Sequence, residues 1–289
     1  MKQLHGTGVA LVTPMNEKGE IDYKALRRLL TYTAKAVDYF VAMGTTGESA
    51  TLSKEEKKLV LDFVKNNNSK NLPIVYGIGG NNTQSVLEEI KSTDLSGVDA
   101  ILSVGPYYNK PPQEGIYQHF KSIAKASPVP VILYNVPGRT ASNITAETTL
   151  RLAKLKNIIG IKEASGNLEQ CMVIAKKKPA EFLLISGDDL LTLPIYSIGG
   201  VGVISVLANA LPKVFLKIKE NALAGNLPKA QIEQFKLLEI NSPMYEEGNP
   251  VGVKHLLSLL GICQSHVRLP LAEASRGLKD RINFIFKNL

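Results

Sequence analysis

The chain has 289 residues, with 34 Lys and Arg against 26 Asp and Glu, for a net charge of +8. At 44% hydrophobic and 21% charged residues it reads as an ordinary soluble globular chain. It is long enough for two small domains or for one large α/β unit with an appendage. The basic residues are scattered, and there is neither a Trp nor any interleaving of aromatic with basic residues, which argues against a nucleic-acid platform. No apolar run approaches a membrane span, and Val9-Ala10-Leu11-Val12 is broken by Thr13-Pro14 before it resembles a signal-peptide core. Cys171 and Cys263 make no disulfide framework and point to a reducing compartment, so the cytoplasm is the expected location. His5, His119, His255 and His266 lie too far apart for a metal pattern.

In chain order, residues 6–14 read as a strand and 23–36 as a helix, with Ala25, Leu26, Leu29 and Leu30 at helical spacing. Residues 37–44 form the next strand, followed by the loop Gly44-Thr45-Thr46-Gly47-Glu48-Ser49. Ser53-Lys54-Glu55-Glu56 is a capping box that opens a helix with Leu59, Val60, Phe63 and Val64 on its apolar face. The alternation repeats as strand 73–80 and helix 83–95, strand 99–105 and helix 114–126, strand 130–136 and helix 146–155. A strand around Lys162 precedes helix 168–177, strand 182–186 a short helix, and strand 201–206 a helix over 212–224. Alternating strands and helices imply a parallel sheet with helices outside it. Eight such units fit a closed (β/α)8 TIM barrel better than an open doubly wound sheet, and the first loop lacks G-x-G-x-x-G.

After about Gly225 the strands stop. Residues 228–240, 250–260 and 270–286 read as helices, with Val253, Leu256, Leu257 and Leu260 as one apolar stripe. The expected organisation is a barrel over 1–224 and an all-helical C-terminal appendage over 225–289, the latter serving packing and assembly rather than chemistry.

Lys162 stands out, because a lysine in a short β-branched strand is costly to bury. If it is buried, the dry site disfavours the charged form and leaves an amine able to attack a carbonyl carbon; if it ends the strand, it reaches solvent or an acidic partner. In a barrel the working face is the C-terminal end of the strands. There the sequence gathers Thr45 and Thr46, Tyr107 and Tyr108, Tyr134 and Arg139, Lys162, and Asp188 and Asp189. Each has a bland reading: Thr45-Thr46 as a helix cap, Tyr107-Tyr108 as loop packing, Arg139 as a surface charge, Asp188-Asp189 as an N-cap rather than a metal site. Together they suit one task. A lysine forms a Schiff base with a ketone, a tyrosine moves protons through a relay that threonine hydroxyls can extend, and an arginine grips a carboxylate with two hydrogen bonds.

The order Gly44-Thr45-Thr46-Gly47-Glu48, Tyr134-Asn135-Val136-Pro137-Gly138-Arg139-Thr140 and Gly160-Ile161-Lys162-Glu163-Ala164-Ser165-Gly166 closely resembles the dihydrodipicolinate synthase family, within the N-acetylneuraminate lyase / class I pyruvate aldolase superfamily. Pro106-Tyr107-Tyr108-Asn109-Lys110-Pro111 and Ser186-Gly187-Asp188-Asp189 add to the likeness, which covers essentially the whole chain. The resemblance implies condensation of pyruvate with L-aspartate 4-semialdehyde, in the diaminopimelate route to lysine. By that pattern Lys162 forms the Schiff base, Tyr134 donates and accepts the proton, and Thr45 and Tyr108 complete the relay, Tyr108 across a dimer interface. Thr46, Ile204 and Gly187 would bind pyruvate or line its site, and Arg139 would hold the semialdehyde's carboxylate. The family implies a homotetramer, a dimer of dimers, and no metal or organic cofactor beyond the covalent lysine–pyruvate adduct.

Sibling pyruvate aldolases, N-acetylneuraminate lyase and 2-keto-3-deoxy sugar acid aldolases, share the barrel, the lysine and the tyrosine; Arg139 argues against them. A non-enzymatic ligand-binding barrel would share the fold without needing the full set. Many family members are inhibited by lysine at the dimer interface. Carrying that site over gives Ser49, Ala50, Lys54, Lys57, Asn81, Ser85 and Tyr107. Lys54 and Lys57 stand where sensitive members often have histidines, and Ser85 where they often have a glutamate, so a cationic ligand is expected to be repelled.

Overall fold

Short β-branched runs bounded by Gly, Asn, Asp and Pro become the strands of this computed structural model, which describes residues 4–289. They are β1 (Gly6–Ala10), β2 (Tyr39–Ala42), β3 (Ile74–Gly77), β4 (Ala100–Val104), β5 (Val131–Asn135), β6 (Ile158–Glu163), β7 (Leu183–Ser186) and β8 (Gly202–Ser205). Every neighbouring pair is parallel, and β8 returns to β1, closing the barrel in sequence order. The helices between them are α1 (Tyr23–Thr33), α2 (Lys54–Asn66), α3 (Thr83–Ser92), α4 (Gln113–Ala126), α5 (Pro137–Thr140), α6 (Ala146–Leu152), α7 (Leu168–Lys177), α8 (Thr192–Ser197) and α9 (Pro212–Leu223). The tail adds α10 (Leu227–Phe235), α11 (Leu238–Asn241), α12 (Val251–Leu259) and α13 (Arg276–Lys287).

The expected (β/α)8 barrel with C-terminal helices is therefore the fold, though several elements are shorter than the periodicity predicts. The first strand stops at Ala10 rather than residue 14, yet Leu11 N still donates to Val41 O at 3.0 Å. The expected helix over 228–240 breaks after Phe235, and the break carries both Leu237 and Ile240 into the core. The last helix starts at Arg276 rather than 270, where Ser275 caps it by accepting from Leu278 N. The capping box at Ser53 and Glu56 is present in both directions. The turn α5, led by Pro137, was not anticipated.

Side chains alternate between two apolar layers. Tyr39, Val41, Val75, Ile132, Tyr134, Ile185 and Ile204 belong to the cluster inside the barrel, whereas Phe40, Val131, Leu133 and Leu184 join the layer shared with the helices. On β6 the alternation is interrupted. Val131 pairs with Ile158 but Ile132 pairs with Gly160, so β6 carries one extra residue there. Ile159 faces the interior cluster, Ile161 the helix layer, and Lys162 then falls opposite Tyr134 on β5 and Ile185 on β7, both interior residues. Without that shift a strict period of two would put residues 159 and 161 inside and Lys162 among the helices.

In the tail, α10 packs along α9 and α12 against α13. From Val251 to Leu257 every residue of α12 is buried, including Lys254 and His255. No helix among the described residues is long and apolar enough to cross a membrane.

Candidate active site

The C-terminal ends of the strands open onto a cavity of about 230 Å³ whose walls include Thr46, Tyr134, Arg139, Lys162, Gly187, Asp188, Tyr245 and Asn249. Lys162 is 6% exposed, which settles the choice left open by the sequence: the residue lies inside the strand and does not escape to solvent. Its Nζ sits over the Tyr134 ring, 4.2 Å from the centroid. Among the described residues Lys162 takes part in no ion pair, and no cluster of His, Cys, Asp or Glu is placed to hold a metal ion.

Lys162 and Tyr134 are held in register from behind. The residue after each, Glu163 and Asn135, is buried and faces away from the cavity. Asn135 Nδ2 donates to both oxygens of Glu163 at 3.1 and 3.0 Å and to Asn143 Oδ1 at 2.8 Å. Glu163 also accepts from Ser165 N at 2.8 Å and from Gln170 Nε2 at 2.8 Å, while Asn135 Oδ1 accepts from Ile144 N at 2.9 Å. These bonds lock the tips of β5 and β6 to each other and to the segment leading into α6. Beside them Gly187 leaves room for the lysine: a Cβ there would stand 3.1 Å from Lys162 Cε and 2.6 Å from Ala164 Cβ.

Thr45, Thr46 and Gly47 form one tight helical turn after β2 rather than a helix cap. Thr46 is buried against the cavity, and Thr45 is exposed on the far side of the turn. Thr45 and Tyr134 share a second, smaller space of about 80 Å³, with Lys57 and Glu89 on its outer wall. Arg139, on the exposed turn α5, borders both the first cavity and an adjoining one of about 430 Å³ that also touches Thr45, Ser49, Ala50, Lys57 and Tyr107. Tyr108 stands apart: it is 88% exposed, with φ 72°. Ile204 is buried in the interior cluster, and Val206 rather than Ile204 reaches the cavity wall. Of the residues expected at an effector site, Lys57 pairs with Glu89 at 3.5 Å, Lys54 and Ser85 are exposed, and the backbone oxygen of Asn81 accepts from Asn109.

The acidic pair after β7 divides. Asp188 caps the following turn by accepting from Leu190 N at 2.9 Å, as its N-cap reading expected. Asp189 is fully buried; desolvation pushes its carboxyl up to about 6, opposed by the hydrogen bond it accepts from Leu207 N at 2.9 Å. Burial likewise pushes the Tyr245 phenol well above its ordinary value, with Asp189 adding to the effect.

The tail contributes more to the cavity than its apolar stripe suggested. Asn241, Tyr245 and Asn249 line it, and Asn249 Nδ2 donates to Thr46 Oγ1 at 3.0 Å. The sequence reading missed these residues, together with the buried pair Glu48–Lys254. A faint signal was available: Lys254 lies within the apolar run of α12, as Lys162 does in its strand, and each calls for an explanation.

The family model described as the dihydrodipicolinate synthetase family matches residues 3–289. A 4-hydroxy-tetrahydrodipicolinate synthase of Cytophaga hutchinsonii is 52% identical over 98% of this chain and 95% of its own. The crystal structure of a dihydrodipicolinate synthase from Bacillus anthracis superposes with a TM-score of 0.95 at 36% identity, over 99% of this chain and 98% of that one. A chloride-inhibited dihydrodipicolinate synthase from Acinetobacter baumannii, complexed with pyruvate, gives a TM-score of 0.95 at 37% identity with the same coverage.

Proposed function

The chain belongs to the dihydrodipicolinate synthetase family, and we propose on that footing that it condenses pyruvate with L-aspartate 4-semialdehyde to 4-hydroxy-tetrahydrodipicolinate through a Schiff base on Lys162. The observation that carries the reading is a buried lysine amine over a tyrosine ring, in a cavity with an arginine at its rim. The amine adds to the ketone carbon of pyruvate, and water leaves as the imine forms. Loss of a methyl proton gives an enamine, whose carbon attacks the aldehyde carbon of the semialdehyde. The product's ring nitrogen comes from the semialdehyde, so that amine displaces Lys162 and frees the enzyme.

Tyr134 is the proton donor and acceptor, since its ring lies against the Lys162 amine. Thr45 shares a cavity with Tyr134 and extends the relay. Tyr108 supplies the last hydroxyl to a neighbouring copy; its near-complete exposure leaves the ring free to cross an interface. The assembly is a homotetramer, a dimer of dimers, working in the cytoplasm with no cofactor beyond the lysine–pyruvate adduct. Thr46 and Gly187, with Ile204 behind them, bind pyruvate. Arg139 binds the carboxylate of the semialdehyde from the rim, which favours this substrate over the hydroxyl-rich substrates of sibling aldolases. The catalytic unit is 1–224, with 225–289 as its helical appendage. The degraded effector site, including Ser49, Ala50, Lys54, Lys57, Asn81, Ser85 and Tyr107, binds lysine poorly.

The test is turnover of pyruvate and aspartate semialdehyde, followed through a coupled dihydrodipicolinate reductase. Lys162→Ala is expected to abolish both turnover and the borohydride-trapped pyruvate adduct. Arg139→Ala is expected to impair use of the semialdehyde far more than adduct formation. An adduct without product would move the assignment to a sibling aldolase, and a surviving adduct in Lys162→Ala would move the nucleophile.

A further inference from the structure

The tail touches the Thr45–Gly47 turn through two buried polar contacts that its apolar packing does not require. Asn249 Nδ2 donates to Thr46 Oγ1. Lys254 Nζ pairs with Glu48, the residue that closes the turn, and the two side chains are 0% and 1% exposed. The second oxygen of Glu48 accepts from Arg268 N at 3.0 Å, and Lys254 Nζ also donates to His266 O at 2.8 Å. Burial lowers the lysine's pKa, and the Glu48 carboxylate opposes that shift. From the barrel side Thr13 Oγ1 donates to Gly47 O at 2.7 Å and Thr51 Oγ1 to Glu48 O at 3.0 Å.

Such a pair is a poor source of stability, because desolvating two charges offsets most of their attraction. Val251, Val253, Leu256 and Leu257 already bury α12. What the pair supplies is direction. Glu48 has φ 54°, a left-handed backbone that glutamate rarely adopts and that persists only where its surroundings impose it. Asn249 acts on the hydroxyl itself: by accepting the amide N–H, the Thr46 oxygen fills one lone pair and keeps its own proton to donate into the cavity.

We propose that Lys254 and Asn249 are positioning residues for the reaction, fixing through Glu48 and Thr46 the turn that presents the Thr46 hydroxyl to the ketoacid bound at Lys162. The kinetic part rests on the Schiff-base reading above; the clamp itself does not. The experiment compares Lys254→Met, Glu48→Gln/Lys254→Met and Asn249→Ala with the wild type in melting temperature, in kcat and pyruvate KM, and in amide exchange of residues 44–51 without substrate. Lys254→Met is expected to melt well below the wild type, because it leaves Glu48 buried and unpaired. The double variant is expected to recover most of that loss, yet to keep a kcat about tenfold down and amide exchange of the turn about tenfold faster. Asn249→Ala, which unpairs no charge, is expected to raise pyruvate KM several-fold near the wild-type melting temperature.

A double variant with wild-type kcat, KM and exchange overturns the proposal. If the double variant does not fold, wild-type KM and exchange in Asn249→Ala overturn it. Faster exchange in a protein that turns over neither substrate would keep the clamp and refute the assigned reaction, so the two failures are distinguishable.

Discussion

Gly187→Ala adds one methyl group at a crowded point of the site. The new Cβ would lie 2.6 Å from Ala164 Cβ, 3.1 Å from Glu163 O and 3.1 Å from Lys162 Cε. Carbon atoms rest about 3.5–4.0 Å apart, so the first contact alone demands about 1 Å of movement. Ala164 and Glu163 are tied to β5, since Ala164 N donates to Asn135 O at 2.8 Å and Glu163 holds Asn135. The Lys162 side chain is the softest neighbour, and the strain is expected to fall on it. Overpacking of this kind costs about 1–3 kcal/mol, and a 1 Å error in a reacting group costs about 10²-fold in rate. The prediction is a kcat about 10- to 100-fold lower, with an unfolding free energy about 1–3 kcal/mol lower and slower borohydride trapping of pyruvate. The measurements are coupled turnover, urea unfolding and the trapping rate. Lost stability with wild-type turnover would show that β6 yields instead of the lysine and would refute the reasoning.

Tyr134→Phe should keep the ring under the Lys162 amine while removing the hydroxyl, lowering kcat about 10²-fold; near wild-type turnover would take Tyr134 out of the proton path. Lysine at millimolar concentration should leave turnover unchanged, because Lys54 is exposed and Lys57 is only partly neutralised by Glu89 at 3.5 Å; inhibition at sub-millimolar lysine would sink that expectation. Burial lowers the His119 pKa to about 4, so its contribution is complete above pH 6.5 and falls away toward pH 4, whereas raised Asp189, at about 6, contributes fully below its ordinary 3.8 and loses that as pH rises toward 6. Urea midpoints from pH 4 to 7 should show His119→Gln without the acid-side loss and Asp189→Asn gaining on the wild type as pH rises, each by up to about 3 kcal/mol; profiles parallel to the wild type would contradict the burial argument. Glu163→Gln should destabilise by about 1–3 kcal/mol and slow adduct formation, since its new NH2 must face one of the donors from Asn135, Gln170 or Ser165; an unchanged unfolding midpoint would mean the network has slack.

How much of this was legible in the sequence varies with the range of the interaction. The barrel was readable because period-two and period-3.6 patterns are local, and Ser53 and Glu56 mark a helix start within four residues. Strand ends were overestimated because apolar residues such as Val12 stay buried after the ladder has ended. The gathering of Lys162, Tyr134, Thr46, Arg139 and Gly187 at one cavity follows from strand order, which the alternation of strand and helix already implies. The contribution of the tail does not follow from any local pattern. Asn249 reaches Thr46 across 203 residues and Lys254 reaches Glu48 across 206, and α12 shows only an apolar stripe into which Lys254 is set. The register shift at Gly160 is equally silent, although it decides that Lys162 faces inward.

The site follows a rule that joins these pieces. A barrel strand can offer the cavity only every second residue, so the residue beyond each working group must face the helix layer, which is mostly apolar. At the mouth this layer turns polar: Asn135 follows Tyr134 and Glu163 follows Lys162, and both are buried. Their polar atoms would be costly there alone, but each bonds the other, and Asn143, Gln170 and Ser165 complete the network around them. A slip of one residue between β5 and β6 would therefore separate Tyr134 from Lys162 and at the same time take from the buried Glu163 carboxylate its two bonds from Asn135. The cost of the wrong register is set by the outer pair, and its benefit is felt by the inner pair. This is why Glu163 and Asn135, which never face the cavity, belong to the account of how the cavity works.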